Sequence, residues 1–284
     1  MSGGLPADLN EQVSRALRED IGPGDVTARL VPEAQTMRAR IVCREPAIVC
    51  GIPWAEETFR QVDARIHARW SCAEGAPVHA DSVIGVIDGP ARGILTAERT
   101  ALNFLQLLSA TATVTRRHVD AVAGTGCRIL DTRKTIPGLR TAQKYAVRIG
   151  GGHNHRMGLY DMVLVKENHI AAAGSIAAAV AAARREAPGI RVEVETENLA
   201  EVEQALAAGA DVIMLDEFSL ADLRAAVARN RAHPDPAVLE CSGSVSFERL
   251  QEIASTGVDC VSIGGLTKHV RAIDLSMRFE PPAG

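Results

Sequence analysis

Little in this sequence marks a secreted, membrane or nucleic-acid-binding protein. None of its six cysteines (Cys43, Cys50, Cys72, Cys127, Cys241 and Cys260) forms a CxxC pair. A disulfide framework or zinc site is therefore not expected, and a reducing, cytoplasmic location is. The longest nearly apolar run, Ile170 to Ala183, is an alanine stretch broken by Gly174 and Ser175. It falls short of the about 20 apolar residues that a membrane span needs. The opening MSGGLPADLNEQVSRALRED has neither a basic start nor an apolar stretch, so no signal peptide is expected there. A net charge of −4 offers no general attraction for nucleic acid. What remains is an ordinary globular composition, 46% hydrophobic and 23% charged over 284 residues, enough for one large domain or two small ones.

The charge is unevenly placed. From Arg128 to Lys166, eight basic residues (Arg128, Arg133, Lys134, Arg140, Lys144, Arg148, Arg156 and Lys166) face only Asp131 and Asp161. That cationic island in an acidic chain suggests a small anionic ligand, a phosphate or a carboxylate. A solvated helix face would show helical spacing, whereas Arg133-Lys134 and Lys166 adjoin apolar runs that read as strands.

The first third reads as α+β. A helix is expected over Asp8–Asp20, with Asp8 as its cap. Residues 37–43 and 64–70 alternate as half-buried strands, and short strands are expected near 47–50, 83–87 and 92–95. Thr96 reads as the cap of a long helix towards His118, and the domain change is placed inside it. This gives an N-terminal domain over 1–110, rejoined by 271–284, and a second domain over 111–270. There, apolar runs at 127–130, 162–165, 190–194, 212–215, 237–239 and 260–263 alternate with helical segments, and Ser175, Asn198, Ser219 and Ser246 are candidate caps. The period of about 21 to 24 residues implies a parallel sheet with covering helices, closed or nearly closed into a barrel. Six strands are fewer than a full eight-stranded barrel.

Directly after these runs stand Asp131, Lys166, Glu195, Asp216 and Glu240. In a parallel barrel such positions meet at one mouth, where active sites are built. The last two strands lead into Ser242-Gly243-Ser244 and Gly264-Gly265, whose small residues suit a phosphate cradle. In the stretch Gly150 to Arg156, two histidines stand two residues apart. No cysteine or carboxylate set adjoins them, so the loop reads as a presenter of Arg156 and His155 to a carboxylate rather than as a zinc site. Glu195 and Asp216 suit Mg²⁺ shared with substrate phosphates.

Several long motifs then stand in order: EDIGPGDVTARLV (19–31), TAERTALNFLQLLSATAT (96–113), LDTRKTIPGLR (130–140), YAVRIGGGHNHRMGLYDMVLVKENHI (145–170), VEVETEN (192–198), IMLDEF (213–218), LECSGS (239–244) and SIGGLTK (262–268). Together they resemble the quinolinate phosphoribosyltransferase family over nearly the whole chain. The resemblance implies an N-terminal α+β domain followed by an incomplete α/β barrel of the type II phosphoribosyltransferase kind, assembled as a homodimer or higher. It implies transfer of phosphoribose from phosphoribosyl pyrophosphate to quinolinate with decarboxylation, in NAD biosynthesis.

By the same resemblance, Arg133, Arg156 and Lys166, with His155, bind the two carboxylates of quinolinate, Arg99 joins them from the neighbouring subunit, and Thr132 is among the substrate-binding residues. Arg99 stands near the start of the expected Thr96 helix, where a guanidinium opposes the dipole and a local stabilising role is not expected. Lys134 and Lys166 would meet phosphoribosyl pyrophosphate. Glu195 and Asp216 would face its ribose and Mg²⁺, with Glu240 beside them. Ser242, Gly243, Ser244, Ile263, Gly264 and Gly265 would cradle the 5′-phosphate. Lys134, Lys166, Glu195 and Asp216 are the expected catalytic set. Glu217, Ser244 and Lys268-His269 stand where asparagine, glycine and histidine-serine are common. Two other classes fit parts of the pattern: a sugar-phosphate aldolase or isomerase with Lys166 forming a Schiff base, and a binding module of the same fold. The complete TRK and HNHR motifs and the strand-end acids speak against both.

Overall fold

A computed structural model describes residues 4–280 of the chain. They form two compact units. One comprises the chain up to Arg116, together with Thr135–Gly151 and the segment from Gly265 onwards; the other comprises Arg117–Lys134 and Gly152–Gly264. The division falls inside a helix, six residues beyond the expected point. Residues 281–284 of the expected rejoining segment lie outside the described residues.

The first unit holds a four-stranded antiparallel sheet, ordered Leu275–Phe279, Thr36–Cys43, Ser82–Pro90, His67–Trp70. Alternation explains its faces: Ala39 and Ile41 are fully buried, while Arg38 and Arg40 between and beside them are exposed. The C-terminal strand places Met277 opposite Ile41, on the same core face.

Three local expectations change. The 64–70 strand begins only at His67, because the Asp63 carboxylate accepts the Arg65 N–H at 3.0 Å and turns the chain there. Residues 92–95 are helical. The preceding strand ends at Pro90, and the helix Ala91–Ala121 begins directly after it. Ile94, Ala97, Ala101, Leu105 and Leu108 form its fully buried stripe. Thr96 is thus no cap, and its hydroxyl donates to Asp25 and to the Arg92 carbonyl. Arg99 lies more than two turns inside this helix and is exposed. The helix dipole, which acts on the first turn, gives no argument about it.

The second unit is a six-stranded parallel sheet, ordered Arg128–Leu130, Cys260–Ser262, Val238–Ser242, Val212–Asp216, Val192–Thr196, Val163–Val165. Helices lie between the strands in sequence, as an incomplete α/β barrel requires. Ser175, Asn198 and Ser219 cap their helices through side-chain oxygens; Ser246 precedes a 3₁₀ turn and makes no such bond. The Arg128–Leu130 edge is not left bare. His153 bridges to it in parallel, donating its N–H to Ile129 at 2.8 Å and accepting from the Asp131 N–H at 3.1 Å. Three strands run further than their apolar runs. Glu195 and Glu240 therefore lie within strands, whereas Asp131 and Lys166 follow theirs and Asp216 ends one.

Candidate active site

The barrel interior carries two layers of charge. In the strand Val192–Thr196, residues two apart share a face, so Glu193 and Glu195 both point to the side occupied by Lys166, His155 and Glu240. The upper layer stands near the strand ends. Lys166, which precedes the helix Glu167–Ala173, donates through Nζ to Glu195 Oε2. Asp216 is held beside Ser242 by strand pairing. Its carboxylate has no hydrogen bond or ion pair among the described residues.

The lower layer is His155, Glu193 and Glu240. Glu193 is 0% and Glu240 1% exposed. His155 Nε2 lies 3.0 Å from Glu193 Oε2 and 3.4 Å from Glu240 Oε2. Glu240 therefore faces His155 inside the barrel. Parallel pairing gives the HNHR loop the two carboxylates that no neighbouring sequence supplied. The three ligand atoms lie within 4.8 Å of one another, a spacing that would admit a metal. The other ring nitrogen argues against one. Nδ1 accepts the Arg156 N–H at 2.8 Å, so the ring proton is on Nε2, where a metal would need a lone pair.

Burial would lower the His155 pKa, but the adjacent carboxylates of Glu193 and Glu240 outweigh it and raise it to about 10. Burial and the Glu240 charge push Glu193 up as well. Both shifts describe one extra proton shared by the cluster.

The HNHR loop is fixed from the other side by Asp131, which is 0% exposed. Its carboxylate accepts the His155 N–H at 2.9 Å and the Asn154 side-chain amide at 2.5 Å. Arg156 emerges from this anchored segment and donates to the Met162 carbonyl at 3.3 Å. Burial and, next, the charge of Arg133 push Arg156 below its usual value. Arg133 Nε is buried with no hydrogen-bond partner among the described residues. Two guanidiniums thus stand near each other in a half-buried place, and an anion there would offset the charge on Arg156 and supply the partner that Arg133 Nε lacks.

At the ends of the last strands, a Cβ on Gly264 would lie 2.7 Å from Lys134 Cδ. The lysine stem rests on that glycine, and Thr132 Oγ1 accepts the Lys134 N–H at 3.0 Å. Ile263 continues the final strand's pairing, donating to the Leu130 carbonyl at 2.9 Å. Gly243 takes φ +114° and Glu217 φ +55°. Ser244 donates both its N–H and its hydroxyl to Glu217 Oε1, each at 2.7 Å. The second unit contains Thr132, Arg133, Lys134, His155, Arg156, Lys166, Glu195, Asp216, Glu240, Ser242, Gly243, Ser244, Ile263 and Gly264. Arg99 and Gly265 belong to the first unit.

Sequence reasoning missed Glu193 and the Glu217–Ser244 pair. The signal for Glu193 was its period-two spacing from Glu195 in an otherwise apolar strand. For a divalent cation, the half-buried carboxylates of Asp216 and Glu195 are the suitable hard donors, and their chemistry fits Mg²⁺.

Family models of the quinolinate phosphoribosyl transferase N-terminal and C-terminal domains match residues 25–109 and 111–278. The nicotinate-nucleotide pyrophosphorylase [carboxylating] of Mycobacterium leprae is 41% identical over 94% of this chain and 95% of that relative. Quinolinate phosphoribosyltransferase [decarboxylating] 1b of Nicotiana tabacum is 38% identical over 96% of this chain and 83% of its own length. The solved nicotinate-nucleotide pyrophosphorylase of Francisella tularensis superposes with a TM-score of 0.92 at 46% identity, covering 98% of both chains.

Proposed function

The chain belongs to the quinolinate phosphoribosyltransferase family, and from that premise we propose how its residues divide the work. The enzyme transfers phosphoribose from phosphoribosyl pyrophosphate to quinolinate with decarboxylation, giving nicotinate mononucleotide, pyrophosphate and CO₂ in NAD biosynthesis.

The observation that carries the assignment of roles is the buried Arg133 Nε, which has no hydrogen-bond partner among the described residues, near the half-buried Arg156. Two cations forced together in a half-buried place suit a substrate with two carboxylates. Arg133, Arg156 and Lys166 bind the dicarboxylate. His155, held from below by Glu193 and Glu240, fixes the segment that carries Arg156. Arg99 completes the pocket from a second subunit of a homodimer. Lys134 and Lys166 hold the pyrophosphate, and Ser242 to Ser244 with Ile263 to Gly265 hold the 5′-phosphate.

The quinolinate nitrogen forms the bond to the anomeric carbon as the bond to pyrophosphate breaks. The ribosyl group carries positive charge in between, and the carboxylates of Glu195 and Asp216 offset it. The quaternised ring then takes the electron pair of the adjacent carbon–carboxylate bond, CO₂ departs, and a solvent proton completes the ring. Glu195 and Asp216 are also the residues that would hold Mg²⁺ with the pyrophosphate, where the ion would neutralise charge on the leaving group. The barrel otherwise contributes positioning. A Schiff-base aldolase would leave the Arg133–Arg156 pair without a role. No helix among the described residues is long and apolar enough to cross a membrane, and a cytoplasmic enzyme fits the cysteine pattern.

Pyrophosphate release with quinolinate against nicotinate tests this division. A monocarboxylate leaves one guanidinium unpaired, a penalty of about 1–3 kcal/mol, so quinolinate is expected to be used at least tenfold more efficiently. Comparable use of nicotinate would overturn the assignment.

A further inference from the structure

Glu217 has an unusual place. It is exposed, yet its backbone is left-handed at φ +55°, a conformation that disfavours glutamate and persists only where the surroundings hold it. The holding contacts all come from the Ser242–Ser244 loop. Glu217 donates its N–H to the Ser242 carbonyl at 3.2 Å. Its Oε1 takes both donors of Ser244 at 2.7 Å. Its carboxyl carbon covers Gly243 so closely that a Cβ there would lie 2.7 Å away. A carboxylate that accepts a backbone N–H and a hydroxyl at a glycine turn uses the donors that a phosphate oxygen would use.

We infer that Glu217 is an internal anion seated on the phosphate cradle, which competes with the substrate's 5′-phosphate for Ser244 and so sets the affinity for phosphate monoesters. This rests on the assignment of Ser242–Ser244 as the phosphate-binding loop. Because the carboxylate covers Gly243, the phosphate reaches the loop only when the Glu217 side chain swings away towards solvent, the side to which it is exposed. The loop is thereby kept in shape between turnovers, at the expense of binding strength. The residue is a positioning and affinity-setting group, not a catalytic one.

The test uses inorganic phosphate and phosphoribosyl pyrophosphate with the whole protein. Glu217→Gln keeps an oxygen for Ser244 but removes the charge. Glu217→Asn relaxes the left-handed backbone, withdraws the oxygen from reach, and serves if the first variant is poorly folded. Both should bind phosphate about tenfold more tightly than the parent, the scale of removing one like charge several ångströms from a phosphate in water. The KM for phosphoribosyl pyrophosphate should fall in step. The amide resonance of Ser244 is followed in the same titrations. If it moves with phosphate while the variants bind no more tightly, the competition is overturned and the cradle assignment stands. If it does not move in parent or variant, the cradle assignment itself fails, and the inference fails with it.

Discussion

His155 Nε2 lies 3.0 Å from Glu193 Oε2 inside the barrel, and this contact ties a wholly buried carboxylate to the segment that presents Arg156. The ring is held at both ends, by Glu193 and Glu240 at Nε2 and by the Arg156 N–H at Nδ1. A shift of Glu193 would therefore be felt at the substrate's carboxylates.

Glu193→Gln keeps the shape and an oxygen beside Nε2 while removing the charge. Its kcat and its KM for quinolinate should stay within a few-fold of the parent. Glu193→Leu keeps the bulk but takes away the nearer of the two carboxylates facing Nε2, about 1–3 kcal/mol. Its kcat/KM for quinolinate should fall tenfold or more, mostly through KM. Equal loss in both variants would show that only packing matters at this position.

The same cluster makes stability depend on pH. His155 is raised from 6.5 to about 10 and Glu193 is raised too, so the folded state holds a proton that the unfolded chain releases. That stabilisation is complete below about pH 6.5 and is lost as pH rises towards 10. Melting temperature should fall by several degrees between pH 6.5 and 9.5 in the parent, and by less in Glu193→Gln. A parent Tm that is flat across this range, or a variant with the same slope, would contradict the shared proton.

Asp216→Asn keeps shape and removes charge at the mouth. Loss of one electrostatic stabiliser of the ribosyl charge should lower kcat about 10²-fold, with little change in Tm. Normal turnover at saturating Mg²⁺ would make Asp216 only a strand-end residue.

Arg99→Ala should spoil the partner's pocket and Lys134→Ala its own. When the two inactive variants are unfolded and refolded together, about half the dimers are mixed, and each carries one intact site. Activity should then return to about a quarter of the parent's. No recovery with mixed dimers demonstrated would confine Arg99 to its own subunit.

Much of the barrel was legible because parallel strands are buried on both faces and read as bare apolar runs, such as Met162–Val165 and Val212–Leu215. The run at Ile94-Leu95 misled for the same reason: a short apolar stretch suits a strand or a buried helix equally. The cations proposed to bind the carboxylates stood out as a cluster in the sequence, but the closeness of Arg133 and Arg156 did not, since 22 residues lie between them. Glu193 was hidden because a charge within an apolar strand looks like solvent exposure until the sheet curls around it.

The HNHR segment also closes an edge. His153 takes up the hydrogen-bonding groups of Ile129 and Asp131 that a further strand would otherwise have used. If the loop loosened, the sheet would present an unpaired β edge able to template association between chains. Mutations in this loop would then be met first as poor solubility, with the lost chemistry concealed behind precipitated protein.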